Sequence, residues 1–253
     1  MRAMMRAICW LTYPGVLALT LARPAPAQGP AELQPLIDRV LEAYGGETRL
    51  SRLQAFVERT KVTAPDGHLI STLARYTQLP DRIRLESEFE QPGKRVRCAI
   101  VIAGDRGWRH TEGQPTVPHR SSFKGMREPL KYAGPRTWLR LKAPAYTLRL
   151  LDETKVGDRL VFGIGVKSPD APEERCFFDK ETGLLVKVEQ TIDYHQGAPP
   201  VLEETLYRGY RAVEGIPIAR TITKKSGGRT TQQIEVVEFR VADRLNAELF
   251  QEP

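Results

Sequence analysis

The sequence is poor in the residues that usually build catalytic and metal sites. Its 253 residues include four histidines, and no two of them form an H-x-H or H-x-x-x-H pair. Ser121 and Ser122 lack the flanking glycines of a nucleophile elbow. The adjacent acids Glu173 and Glu174 would point to opposite faces of a strand instead of converging. We therefore expect no metal site, no cofactor and no catalytic residues, so the protein is not predicted to be an enzyme.

Cysteine is too scarce for a disulfide framework, because the chain has three cysteines in all. Cys9 lies near the N terminus, while Cys98 and Cys176 lie in two separate predicted strands. A bond between the last two depends on the separation of their Cα atoms, which the sequence does not give. A disulfide in an oxidising compartment and a pair of buried thiols therefore both stay open.

Long hydrophobic runs are absent as well. The only one near the N terminus follows Arg2 and Arg6 and is shorter than the roughly 20 residues that a membrane-spanning helix needs. Ala25-Pro26-Ala27 then has the form of a signal-peptidase site. We predict a signal peptide over residues 1–27, in preference to a retained anchor, and export to the periplasm or cell envelope. Its removal, which includes Arg23, lowers the formal net charge from +7 to +4.

The positive charge that remains is mild and spread along the chain, which argues against nucleic acid as a partner. One basic stretch, residues 119–142, has apolar residues interleaved with its charges. Such a stretch could lie on an anionic membrane surface or form an ordinary solvated face. The basic residues concerned are Lys124, Arg127, Lys131, Arg136, Arg140 and Lys142.

The remaining residues, 28–253, are long enough for a single β domain with an ordinary core. Helical spacing of apolar residues predicts an N-terminal helix over 31–43 and a second short one over 47–53. Short helices are also expected within 115–143, where prolines interrupt the pattern. Elsewhere a period of two predicts ten or eleven strands, with the clearest hairpin turning at Asp179 and Gly183. The other strands are expected at 56–63, 69–78, 83–89, 94–103, 146–151, 160–166, 201–210, 216–224 and 229–241.

Mostly short links between these strands predict one large antiparallel meander. Because twist curls so long a sheet round on itself, it either closes into a small barrel or stays half open. We predict a mainly β fold: a large curved antiparallel sheet that forms a half-open β-barrel. The N-terminal helix and the short helices would then form a lid over its concave face.

The concave face is expected to be apolar and to enclose a ligand cavity. Residues of one parity on two neighbouring strands would line it, and two tryptophans could lie at its mouth, although core packing also explains them. Gly163 and Gly165 would admit either a ligand or a packed helix against bare backbone. The cavity-lining candidates are Ile83, Leu85, Phe89, Ile100, Ile102, Trp108, Trp138, Phe162 and Ile164.

Seven short motifs follow one another along nearly all of the chain beyond the predicted signal peptide. They are A-Y-G-G at 43–46, L-P-D-R-I-R at 79–84, G-D-R-G-W at 104–108, F-D-K-E-T-G-L-L at 178–185, Y-R-G-Y at 207–210, V-E-G-I-P at 213–217 and L-N-A-E-L-F at 245–250. With these motifs the chain resembles the LolA-like, outer-membrane lipoprotein-sorting proteins of bacterial envelopes. The resemblance implies a half-open β-barrel with a helical lid and an apolar cavity that holds acyl chains.

Two functional hypotheses follow. The first is a non-enzymatic, exported carrier or chaperone that binds a lipid or lipoprotein acyl chain by apolar burial. The second is an envelope sensor or scaffold of the same fold that binds a membrane-protein partner. A stoichiometric partner that survives delipidation would favour the second.

Overall fold

The computed structural model describes residues 31–253, with gaps at 92–93, 119–132, 169–170 and 194–198. The predicted signal peptide lies outside the described residues. Two α-helices open the described chain, α1 (Leu33–Ala43) and α2 (Glu47–Arg52), close to their predicted bounds. Two 3-10 helices follow later, Gly134–Lys142 and Ala247–Phe250. None of the helices in this part of the chain is long and apolar enough to cross a membrane.

The strands account for most of the described chain. They are β1 (Ala55–Thr63), β2 (Leu69–Gln78), β3 (Arg82–Gln91), β4 (Lys94–Ala103), β5 (Arg106–Thr111), β6 (Val117–Pro118), β7 (Thr147–Val156), β8 (Arg159–Lys167), β9 (Glu174–Asp179), β10 (Leu185–Ile192), β11 (Val201–Arg208), β12 (Arg211–Val213), β13 (Ile216–Ile218), β14 (Thr221–Ser226) and β15 (Arg229–Ala242). The strand predicted over 216–224 is in fact two, because the chain passes from a small β12–β13 hairpin into the main sheet at Ala219 and Arg220.

Thirteen strands form one antiparallel sheet in the order β6-β5-β4-β3-β2-β1-β15-β14-β11-β10-β9-β8-β7. In the described part of the chain β6 and β7 are its edges, so the sheet stays open and the predicted half-barrel is confirmed. The predicted single meander is wrong in its connectivity. The first strand, β1, pairs with the last, β15, in the middle of the sheet, and two runs of hairpins extend from this pair.

The hairpin predicted at Asp179 and Gly183 joins β9 to β10. Asp179 Oδ1 accepts hydrogen bonds from the backbone N–H groups of Glu181 and Thr182, both at 2.9 Å. Burial alone would raise the pKa of Asp179, but these bonds outweigh it and lower the pKa below its usual value. Gly183 has a φ of +72°, and a Cβ there would lie 3.0 Å from the Cβ of Ala43 in α1. The turn therefore fixes the end of α1 against the sheet.

Helix α1 covers one half of one face, which we call the inner face. Its apolar side packs on β8, β9 and the 3-10 helix Gly134–Lys142, so the predicted helical lid has a direct counterpart. The 3-10 helix Ala247–Phe250 packs on the other side of the sheet, the outer face, against β1 and β4. The main buried residues beneath α1 are Leu33, Val40, Trp138, Phe162, Ile164 and Phe178.

Candidate ligand-binding site

The predicted parity of β3 and β4 is confirmed by their register. Ile83 pairs with Ile102 and Leu85 with Ile100, and all four side chains lie on the inner face. Ile83 and Ile102 are buried, whereas Leu85 and Ile100 remain partly exposed. Two further inner-face residues of the same half are also partly exposed. Together they form the apolar strip, which consists of Leu73, Leu85, Phe89 and Ile100.

A cavity of about 380 Å³ lies between this strip and the half of the sheet that α1 covers. The strip and the cavity meet where Arg75, which lines the cavity, pairs across the strands with Leu85. The volume is within the range of small-molecule sites, roughly 300–1,000 Å³. Its apolar and aromatic lining includes Trp138, Val188, Tyr207, Ile222, Val236 and Phe239.

Two ion pairs lie in the cavity wall. Arg140 Nη2 lies 2.5 Å from Glu174 Oε2, and Arg75 Nη1 lies 3.3 Å from Glu58 Oε2. Burial would lower the pKa of Arg140, but the neighbouring Cys176 and Glu174 raise it. The Nε atoms of both arginines are buried and have no hydrogen-bond partner among the described residues. The wall thus keeps donor capacity that the rest of the described chain does not use.

Tyrosine hydroxyls join α1 to the sheet beside the cavity. Tyr210 donates to the carbonyl of Leu185 at 2.8 Å, the hydroxyls of Tyr44 and Tyr210 are 3.1 Å apart, and the Leu185 N–H donates to Tyr44. Burial raises the pKa of Tyr44 to about 12 and also raises those of Tyr207 and Tyr210, so all three are neutral at neutral pH. Tyr207 also lines the cavity.

The other predicted lining residues occupy three different environments. Trp138 lines the cavity and also belongs to the core, with its ring 5.0 Å from Phe178 and 5.4 Å from Tyr44. Phe162 and Ile164 lie on the inner face but are fully covered beneath α1. The structure places Trp108 on the outer face, paired with Val101 and packed near the C-terminal 3-10 helix, so it lies away from the cavity.

Neither of the two explanations offered for Gly163 and Gly165 holds. A Cβ at Gly163 would lie 2.8 Å from the Cβ of Leu151 and 3.2 Å from Cδ1 of Phe177. At Gly165 it would lie 3.2 Å from the carboxylate of Glu173. Outer-face side chains of adjacent strands therefore require glycine at 163, whereas at 165 the only close neighbours are atoms of the flexible carboxylate of Glu173.

Three of the six basic residues proposed for a membrane surface bind within the protein instead. Arg136 donates to the carbonyl of Leu53 at 3.1 Å, Arg140 pairs with Glu174, and Lys142 Nζ lies 2.8 Å from Glu47 Oε2. They therefore do not offer a free cationic face. The remaining three, Lys124, Arg127 and Lys131, lie outside the described residues.

The cysteines and histidines of the described ranges form no chemical centre. Cys98 and Cys176 are free thiols on β4 and β9. Burial raises the pKa of Cys176 to about 12, which leaves it an unreactive neutral thiol. No three His, Cys, Asp or Glu side chains in those ranges come together to hold a metal ion. His119 and His195 lie outside them.

No family model matches the chain, and no curated protein is similar to it in sequence. Solved structures are similar in fold. A LolA superfamily protein from Nitrosomonas europaea matches 84% of this chain and 96% of its own, with a TM-score of 0.54 and 11% identity. An outer membrane lipoprotein-sorting protein domain from Vibrio parahaemolyticus matches 85% and 97%, with a TM-score of 0.52 and 12% identity. The chain has the LolA-like fold.

A third structure of the same shape, a DUF1329 family protein from Desulfovibrio piger, matches 87% of this chain and 97% of its own, with a TM-score of 0.56 and 11% identity. At these identities the similarity to the LolA-like structures is one of fold. What the site of this chain binds must be inferred from its own residues.

Proposed function

We propose that this protein is a non-enzymatic carrier that binds a lipid or lipoprotein acyl chain on the inner face of its sheet. The observation that carries the proposal is the partly exposed apolar strip that lies beside the 380 Å³ cavity. Binding would come mainly from apolar burial, at roughly 25 cal/mol per Å². The LolA-like fold, which this chain has in common with a lipoprotein-sorting domain, supports the same ligand chemistry.

The proposal includes export. Residues 1–27 act as a signal peptide, and residues 28–253 form a single carrier domain in the periplasm or cell envelope. The mass of the protein recovered from the envelope fraction checks this cleavage. A chain that begins at Gln28 supports it, and a chain that retains residues 1–27 contradicts it.

Two tryptophans on opposite faces offer a direct test of where the acyl chain binds. One variant keeps Trp138 alone, through Trp10→Phe and Trp108→Phe, and its matched control keeps Trp108 alone, through Trp10→Phe and Trp138→Phe. Titration with a fatty acid brominated on the first carbons of its chain, which lie nearest the cavity, should quench Trp138 fluorescence with saturation, because contact with bromine quenches indole emission. Trp108 should keep its emission, since it lies on the outer face.

Two other patterns of tryptophan quenching would contradict the proposal. Equal quenching of both tryptophans would mean nonspecific contact, and quenching of Trp108 alone would place the lipid on the outer face. If neither tryptophan responds and calorimetry detects no binding of the fatty acid or of an uncharged ester with the same acyl chain, the protein is not an acyl-chain carrier.

A further inference from the structure

The cavity wall holds charged groups that an acyl chain alone does not require. Arg140 and Glu174 form one pair, Arg75 and Glu58 the other, and the exposed side-chain fractions of Arg140 and Glu58 are only 15% and 20%. Removing such pairs from water costs free energy that apolar residues of similar size would not. Their presence in the cavity therefore points to a ligand with a polar part.

Polar groups in this wall also keep hydrogen-bonding capacity that the described chain leaves unused. These are the Nε donors of Arg75 and Arg140. A buried donor without a partner costs roughly 1–3 kcal/mol. A ligand that supplies oxygen acceptors at this place recovers part of that cost.

The balance of charge selects among polar ligands. Each arginine in the wall is compensated by a glutamate, so the four side chains carry no net charge. An anionic head that approached Arg140 or Arg75 would meet the carboxylate of Glu174 or Glu58 as well. A head without net charge meets no such repulsion and can still accept hydrogen bonds from the arginines.

Resting on the proposed function, we infer that the ligand is an amphipath whose head carries no net charge and presents ester, amide or hydroxyl groups. Its head lies in the cavity between the Arg140–Glu174 and Arg75–Glu58 pairs, and its acyl chain follows the apolar strip. A free fatty acid, whose head is a carboxylate, is disfavoured although its chain is the same.

The test compares two ligands with the same acyl chain, 1-palmitoylglycerol and palmitate, by calorimetry at a pH where palmitate is ionised. The full-length protein should bind 1-palmitoylglycerol about tenfold more tightly than palmitate, the factor that corresponds to about 1.4 kcal/mol. The near-isosteric variant Glu174→Gln leaves Arg140 without its carboxylate partner. In this variant the affinity ratio should shift towards palmitate by about tenfold.

Glu173→Gln is the matched control. It makes the same change of charge one residue away, where Glu173 pairs with Arg149 at the outer face, and it should leave the ratio unaltered. Thermal melting monitors the fold of each variant. If Glu174→Gln does not fold, Glu58→Gln tests the second pair, with a shift in the same direction expected.

These measurements test the uncharged head of the ligand separately from the acyl-chain carrier function. Equal or tighter binding of palmitate by the unmodified protein overturns the inference, as does a Glu174→Gln shift no larger than that of Glu173→Gln. In both cases saturable quenching of Trp138 would still support an acyl-chain carrier. Failure of both ligands to bind the unmodified protein overturns the carrier function itself.

Discussion

The Ile100→Glu variant should remain folded and lose its affinity for lipid. Ile100 is partly exposed at the β4 end of the apolar strip, beside Leu85, and its cross-strand neighbour on β5 is Arg109. The new carboxylate therefore has both water and a cation within reach, so it avoids the cost of several kcal/mol that an unpaired buried charge would impose. Loss of the apolar contact alone is worth about 1.5–3 kcal/mol, which predicts at least about a tenfold weaker complex.

Thermal melting and lipid titration on this variant must be read together. Thr72→Glu is the matched control, because Thr72 lies in the same half of the sheet, next to Leu73, but faces outwards between Lys61 and Glu88. It should bind lipid like the unmodified protein. A folded Ile100→Glu protein with unchanged affinity would remove the ligand from the strip, and an unfolded one would mean that the strip is tightly packed core.

The Phe178→Ala variant should lose about 3–5 kcal/mol of unfolding free energy, the usual range for a buried phenylalanine. Phe178 is fully buried, and its ring stacks on Phe162 at 5.5 Å and meets the edge of Trp138 at 5.0 Å. It is therefore one of the main contacts between the helices and the sheet. The cavity left by its removal has no flexible neighbour to fill it, because α1 is fixed at Gly183 and Tyr44.

Urea unfolding followed by circular dichroism measures this loss. Leu160→Ala is a suitable control because Leu160 is 54% exposed, and it should change stability by no more than about 0.5 kcal/mol. A loss below about 1 kcal/mol for Phe178→Ala would show that the helices and the sheet do not depend on this contact.

Local patterns were sufficient to predict the fold class and much of the strip. Alternation along a strand depends only on successive residues, so Leu85 and Ile100 could be assigned to one face without knowing the rest of the sheet. The face on which Trp108 lies could be predicted only by also counting the residues in the preceding turn. The two-residue turn Gly104-Asp105 pairs Ala103 with Arg106, and this register places Trp108 beside Val101 on the outer face. Turn length would have revealed that placement.

The cavity itself could not be predicted, because its parts come from distant segments. Arg140 and Glu174 are 34 residues apart, and Tyr44 and Tyr210 are 166 apart. From the sequence alone, Arg140 belongs to a basic stretch that is expected to lie on a membrane surface or to face solvent. Only the central pairing of β1 with β15 and the position of α1 bring these side chains together, and neither leaves a local signal. The motifs at 43–46 and 207–210 were the nearest hint, since both contain tyrosines of the wall.

The pairing of β1 with β15 also constrains the order in which the chain can fold. Thr63 and Gln233 are 170 residues apart and are hydrogen-bonded neighbours at the centre of the sheet. Each run of hairpins can form early from local contacts, but the two runs are joined only after the final strand has been synthesised. Contacts of such sequence separation slow folding, because a long loop must close before they stabilise anything. Under the proposed export, that delay would leave the central pairing of β1 with β15 unformed while the chain is still threading through a translocation pore.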